Sequence, residues 1–175
     1  MIHSDPPRKR ARISVRELVV LSLMAAIMFA SQVAMAALPN IEPVTVILMA
    51  CALVFGWKTL YPLYVFVLLE ALLYGFTIWV VNYLYVWLVL VTATILLRRV
   101  ASRVFWAVIG GAFGLLFGAL CAIPYFFIGG WTMGFSYWVA GIPFDLIHCV
   151  SNAVLVFALL PLLTKLLNKL TLDRR

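Results

Sequence analysis

Charged residues are scarce in this chain. Asp, Glu, Lys and Arg make up 11% of its 175 residues, whereas hydrophobic residues make up 66%. A soluble domain carries roughly a quarter of its residues charged, so this chain lacks the polar surface that water requires. The mean hydropathy of +1.14 leads to the same conclusion. These values exclude a soluble globular fold and predict a surface that faces lipid.

Motifs for catalysis and metal binding are also missing. The three cysteines, Cys51, Cys121 and Cys149, lie in apolar segments without CxxC spacing, which favours small hydrophobic packing over disulfides or metal ligands. The segment 56–59 has the tail of a P-loop without its glycine-rich front, and neither HExxH nor GxSxG occurs. We therefore expect no metal and no cofactor. Active transport by this chain would need energy from another protein.

Positive charge is concentrated in clusters. The net charge of +7 comes from groups at 8–16, 58, 98–103 and 165–175, with long apolar runs between them. This distribution is typical of the positive-inside bias of membrane proteins, and it does not favour a nucleic-acid-binding surface.

Pro, Gly and charged residues divide the apolar sequence into six candidate spans. About 20 apolar residues cross the hydrocarbon core, and shielded segments need fewer. The candidates are 14–37, 43–55, 60–79, 83–97, 104–128 and a last span from near Tyr137 or Pro143 to 167. With the N-terminus inside, all 13 Lys and Arg fall on the cytoplasmic side.

The predicted fold is therefore an all-α integral membrane bundle of six transmembrane helices with both termini cytoplasmic. It comprises a basic tail at 1–13, a membrane domain at 14–168 and a second basic tail at 169–175. The basic start and apolar run also resemble a secretory signal, but the run 14–38 is about twice the length of a signal core. We expect it to be retained as the first helix.

Aromatic and amide residues gather in the predicted outer connections. Interface belts also collect Trp and Tyr, but they do so on both faces, whereas the inner side here offers fewer. The excess predicts a binding cup that opens outward, with an interface belt as the alternative. Its candidate residues are Asn40, Trp79, Asn82, Tyr83, Tyr85, Trp131, Tyr137 and Trp138.

Four ionisable residues in the apolar part of the chain need a reason to be there, since each costs ~2.5–3.5 kcal/mol to insert. They are Glu42, Glu70, Asp145 and His148. Asp145, His148 and Asn152 share one helix face at i, i+3 and i+7. This spacing fits a helix start at which Asp145 satisfies His148, and it fits substrate contact, which does not exclude the first interpretation; a metal site is a further alternative. For Glu70, placed near the middle of the third span, the alternatives are a structural hydrogen bond, a pocket floor and a proton relay. For Glu42 they are a helix cap and a ligand contact.

Two helices carry small residues every fourth position. The first has Ser22, Ala26, Ala30 and Ala34, and the fifth has Gly110, Gly114 and Gly118. Small residues let helix backbones approach closely in lipid. Both series fit packing within the bundle, and Ala26, Ala30 and Ala34 also fit a surface on which a partner docks.

Together these residues resemble a known family. The six-span layout, the basic tails and the alanine series accompany the strings LPNIEPVT at 38–45, NYLYVW at 82–87 and GIPFDLIH at 141–148. The chain resembles the substrate-binding S components of energy-coupling-factor (ECF) transporters, and within them the members assigned to cobalamin. Queuosine precursors and other vitamins are alternative ligands.

The resemblance implies a function for the whole chain. Such S components capture a vitamin at an outward pocket and dock, through the alanine face of the first helix, on a membrane coupling subunit driven by two cytoplasmic ABC ATPases. It implies a multi-pass protein of the bacterial cytoplasmic membrane that is not an enzyme. An intramembrane enzyme using Asp145, His148 and Glu70 is the main alternative, and a structural or assembly factor is a second.

Overall fold

The part of the chain that the computed structural model describes, residues 13–38 and 40–172, is almost entirely helical and contains no strand. The predicted basic tails fall mostly outside these ranges, at residues 1–12 and 173–175. A 3-10 helix, Gly56–Thr59, joins the second helix to the third. The helices are α1 (Val15–Ala34), α2 (Val44–Phe55), α3 (Leu60–Tyr74), α4 (Ile78–Leu97) and α5 (Arg103–Leu172).

A capping box starts α1. The Ser14 hydroxyl accepts a hydrogen bond from the backbone N–H of Glu17 at 3.1 Å, and the Glu17 carboxylate accepts one from the N–H of Ser14 at 2.9 Å. The same carboxylate forms a salt bridge of 2.8 Å with Lys58, in the 3-10 helix. The start of α1 and the connection between α2 and α3 therefore lie at the same end of the bundle.

Positive charge collects at this end, which we call the basic end. Arg98 and Arg103, at the connection between α4 and α5, line a groove together with Leu53 of α2 and Thr164 of α5. The end of α2, the connection between α4 and α5, and the last part of α5 therefore lie at the same end as Lys58. All Lys and Arg residues within 13–38 and 40–172 lie there: Arg16, Lys58, Arg98, Arg99, Arg103, Lys165 and Lys169.

The longest helix, α5, is a hairpin of two limbs. Gly129 and Gly130 depart from helical backbone angles, and Gly130 has φ 70°, a region that residues with a Cβ rarely adopt. The predicted break at these glycines is confirmed. The limbs, 103–128 and 131–172, run back along each other so closely that a Cβ on Gly114 would lie 2.6 Å from the carbonyl oxygen of His148.

The centre of the bundle is α2. Nine consecutive residues, 44–52, are buried, and the helix packs against α1, α4 and α5. At about 1.5 Å per residue, α2 is roughly 18 Å long, shorter than the ~30 Å hydrocarbon core. Burial on all sides makes this short apolar helix stable.

Four helical stretches are long and apolar enough to cross a membrane: Val15–Ala34, Val44–Tyr74, Ile78–Leu97 and Arg103–Thr171. They indicate a multi-pass membrane protein. The second stretch contains α2 and α3, and the fourth contains both limbs of α5. The second limb alone is roughly 63 Å long, about twice the hydrocarbon thickness, so part of it extends beyond the bilayer.

Two predicted helix starts and the predicted position of Glu70 were wrong at the end of the bundle opposite the basic end. Helix α4 starts at Ile78 instead of 83, so Trp79 and Asn82 lie on a helix. Glu70 lies one turn before the end of α3, away from mid-span. Pro143 lies inside the second limb of α5 and does not start a helix; in a membrane helix, neighbouring groups can satisfy the carbonyl that proline leaves free.

Candidate binding site

Three neighbouring cavities lie opposite the basic end, at the end of the bundle that holds the connection between α1 and α2. The central cavity has a volume of about 170 Å³, the Glu70 cavity about 390 Å³ and the Asp145 cavity about 350 Å³. The central cavity shares Gln32, Ala36 and Tyr83 with the Glu70 cavity, and Asn40 and Phe117 with the Asp145 cavity. Together they form a continuous row of polar and aromatic walls.

Glu42 is fixed at the floor of the central cavity. One carboxylate oxygen accepts the backbone N–H of Val44 at 2.6 Å, and the other accepts the Thr45 hydroxyl at 3.2 Å. The latter oxygen also lies 3.4 Å from His148 Nε2. Glu42 therefore serves as the predicted cap at the start of α2 while its side chain lines the cavity, so the two predicted roles do not exclude each other.

Asn40 closes the connection between α1 and α2 against α5. Its backbone has φ 58°, a left-handed conformation that Asn tolerates better than most residues. Its amide donates to the carbonyl oxygen of Phe144 at 3.0 Å, and its own carbonyl accepts the Ser151 hydroxyl at 2.9 Å. These two bonds hold a segment that lines both the central cavity and the Asp145 cavity.

Aromatic rings form one wall of the central cavity. Tyr83 and Trp87 of α4 meet edge to face at 5.6 Å, and Phe117 of α5 lies 5.6 Å from Trp87. The Phe117 ring also meets the His148 imidazole at 4.9 Å. A flat ligand ring could pack against these faces.

The Asp145 carboxylate belongs to the contact between the two limbs of α5. Its Oδ1 accepts the backbone N–H of Gly118 at 2.9 Å, and a Cβ on Gly118 would collide with this carboxylate. Asp145 therefore does not cap a helix start as predicted, because it lies in the middle of the second limb. Nor does its carboxylate satisfy His148, which instead meets Glu42.

Several buried polar atoms along the cavities have no hydrogen-bond partner among the described residues. They belong to side chains that line the cavities, and buried polar groups are nearly always paired. Ligand or water groups could satisfy them. The atoms are Gln32 Oε1, Glu70 Oε1, Trp87 Nε1, Asp145 Oδ2 and His148 Nδ1.

Eight predicted site residues line the three cavities: Asn40, Glu42, Glu70, Trp79, Tyr83, Tyr137, Asp145 and His148. Tyr137 also stacks on Tyr125 at 4.1 Å.

The remaining five predicted residues line none of these cavities. Asn82 and Tyr85 bond to each other at 3.4 Å, and the Tyr85 hydroxyl also donates to the carbonyl of Leu120, which ties α4 to α5. Asn152 is fully buried next to the first limb of α5. Trp131 and Trp138 are exposed residues of the second limb, at 75% and 37%.

Sequence reasoning missed Gln32 and Phe117, which line the central cavity together with Trp87, the last residue of the NYLYVW string. Apolar and aromatic residues occur throughout a membrane sequence, so Phe117 carries no local signal. Gln32 is an uncharged amide inside the first span. Because burying an amide in lipid is costly, its position in the sequence could have identified it as a candidate site residue.

The alanine face of α1 is uncovered. Ala26, Ala30 and Ala34 are exposed, whereas Ala25 points into the bundle and is fully buried. The glycine series of α5 behaves differently, since Gly110, Gly114 and Gly118 all pack against the second limb. Of the two small-residue series, only the one on α5 is used for packing within the described chain.

The geometry also bears on a catalytic role for Asp145, His148 and Glu70. Glu70 and Asp145 line different cavities, and His148 lies in the central one between them. Within residues 13–38 and 40–172, no group of three or more His, Cys, Asp or Glu side chains could hold a metal ion. Each of the three side chains thus lines a different cavity of the row.

No protein-family model, curated protein or solved structure matches this chain.

Proposed function

We propose that this protein is the substrate-capturing membrane subunit of an ECF-type importer of a vitamin or related micronutrient. The observation that carries the proposal is the row of cavities with unpartnered buried polar atoms at the end opposite the basic end. Basic residues favour the cytoplasmic side of a membrane. With the basic end in the cytoplasm, the cavities open to the outside. The six spans and cytoplasmic termini of the S-component layout are part of the proposal.

The uncovered alanine face of α1 supports docking on a coupling subunit. In lipid, small side chains permit close helix approach and thereby strengthen association. Ala26, Ala30 and Ala34 remain exposed although the neighbouring face of α1 packs inward through Leu21, Met24 and Met28. Docking there would link the binding subunit to two ABC ATPases, which supply the energy that a chain without a P-loop cannot.

The resemblance points to cobalamin as ligand, with a queuosine precursor or another vitamin as alternatives. The cavity sizes support the smaller compounds, because a cavity of about 150 Å³ accommodates one benzene ring and the central cavity has about 170 Å³. A one- or two-ring heterocycle fits the observed arrangement. A corrinoid would require the three cavities to merge into one open cup.

Transport by a reconstituted complex tests this function. The full chain is placed in liposomes with an ECF coupling subunit and its two ATPases, and uptake of radiolabelled vitamins is measured with and without ATP. The proposal expects ATP-dependent uptake of one compound. Uptake of no compound, by complexes that assemble and hydrolyse ATP, would refute it.

A further inference from the structure

Glu70 is a buried carboxylate of the described bundle. It is 2% exposed, and its Oε1 has no hydrogen-bond partner within the described residues. Glu70 lines the 390 Å³ cavity between α1, α3 and α4. Glu42, by comparison, is satisfied by a backbone N–H, a hydroxyl and an imidazole. Among the buried carboxylates of the described residues, Glu42 and Asp145 each accept at least one hydrogen bond, whereas Glu70 accepts none.

No positive charge faces Glu70 from the walls of its cavity. The other lining residues are Gln32, Ala36, Tyr74, Trp79 and Tyr83, and the described Lys and Arg residues lie at the basic end. A buried carboxylate is costly unless it is paired. The empty space next to Glu70 is where a cationic partner would fit.

The remaining walls also suit a cation. Trp79 and Tyr83 meet edge to face at 5.1 Å, and Tyr74 is the third aromatic side chain of the cavity. Aromatic faces attract ammonium groups, and aromatic cages bind them in many proteins. The unpartnered Oε1 of Gln32 adds an acceptor for an ammonium N–H.

We propose that the Glu70 cavity is the ammonium subsite of the ligand. The ligand is then a small planar heterocycle with a protonated amine on a short arm. The amine pairs with Glu70, and the ring occupies the adjoining central cavity beside Trp87, Phe117 and His148. The two cavities share Gln32 and Tyr83, whose side chains are hydrogen-bonded at 3.3 Å. This inference rests on the proposed function and adds the charge and shape of the substrate.

Matched probes test the subsite directly. Benzylammonium carries a ring and a protonated amine on one carbon, and benzyl alcohol has the same shape without the charge. Dissociation constants of both are measured by ligand-observed NMR with the full chain in detergent, against a micelle-only reference. The wild-type protein should bind benzylammonium about tenfold more tightly, the difference expected for one hydrogen bond to a charged group.

Three variants test whether the preference for benzylammonium over benzyl alcohol depends on Glu70 and Trp79. Glu70→Gln keeps the shape of the side chain and should make the two probes bind about equally. Trp79→Leu should weaken benzylammonium more than benzyl alcohol. Glu17→Gln, which changes a carboxylate at the basic end that pairs with Lys58, should leave the preference unchanged.

Three results would overturn the inference: no binding of benzylammonium at millimolar concentration, equal binding of both probes to the wild-type protein, or a preference that persists in Glu70→Gln. In that last case the carboxylate has a structural or proton-relay role. None of these results bears on the proposed function, whose test measures vitamin uptake and does not depend on a cationic ligand.

Discussion

Glu42 and His148 lie 106 positions apart in the sequence, and their side chains meet at 3.4 Å on the wall of the central cavity. The contact joins the segment before α2 to the second limb of α5. Because Glu42 also holds the first turn of α2 through Val44 and Thr45, one carboxylate links the start of the central helix to the cavity wall.

A double-mutant cycle should detect this link without any ligand. Glu42→Gln and His148→Phe should each destabilise the protein in detergent, measured by SDS-induced unfolding. The double variant should lose less than the sum, with a coupling of roughly 0.5–3 kcal/mol, because both changes break one shared interaction. Glu42→Gln combined with Thr94→Val, whose hydroxyl bonds within α4, should be additive. Additive losses for the first pair would show that the contact contributes nothing.

The glycines of α5 allow a close contact that a single methyl group should disrupt. A Cβ on Gly114 would lie 2.6 Å and 2.7 Å from the carbonyl atoms of His148, whereas a Cβ on Gly141 meets nothing within 4 Å. Gly114→Ala should therefore lower the free energy of unfolding by about 1–3 kcal/mol, and Gly141→Ala should not lower it through a clash. Equal stability of the two variants, measured by the same SDS unfolding, would contradict the observed distance between the limbs.

The exposed alanine face should be needed for transport and dispensable for binding. Ala30→Trp places a large side chain where close helix approach is expected, so ATP-dependent uptake should be lost while ligand affinity is retained. Leu116→Trp is the matched control, because Leu116 is 56% exposed on α5 and belongs to another face. Normal uptake by Ala30→Trp would remove the docking assignment, and so would an equal loss in both variants.

The proposed orientation can be tested by cysteine labelling. In a background where Cys51, Cys121 and Cys149 are alanine, Leu38→Cys should react with a membrane-impermeant maleimide on intact cells. Ala101→Cys, beside Arg98 and Arg103 at the basic end, should react only after lysis. Both positions are exposed. The reverse pattern, or labelling of both on intact cells, would contradict the six-span arrangement.

Charge and glycine made the outline of the fold predictable. The basic clusters predicted which connections share one end, as the Glu17–Lys58 salt bridge confirms for two of them, and the break at Gly129 and Gly130 was found because glycine adopts backbone angles that other residues avoid. The helix starts near Trp79 and Pro143 were misplaced. Aromatic residues suit interfaces and helices alike, and a proline inside an apolar helix resembles one at its first turn.

The site was predictable only where a residue is costly in lipid. Glu42, Glu70, Asp145 and His148 stood out for this reason, and all four line the cavities. Which of them pair could not be read from the sequence. The i, i+3 spacing suggested that Asp145 satisfies His148, but the folded chain brings Glu42 to His148 and Gly118 to Asp145. Such pairing depends on how helices pack, which spacing along a single helix does not determine.

Thermal stabilisation of the detergent-purified protein is the most direct test of the central claim that these cavities bind a micronutrient. The panel comprises cobalamin, riboflavin, folate, biotin, pantothenate and queuosine precursors, each tested on the wild-type protein and on His148→Phe. A ligand at ~100 times its dissociation constant adds ~2.7 kcal/mol of stability. The account predicts a raised melting temperature with one compound and a smaller rise in the variant. A compound that stabilises both proteins equally, or none that stabilises the folded wild-type protein, would contradict it.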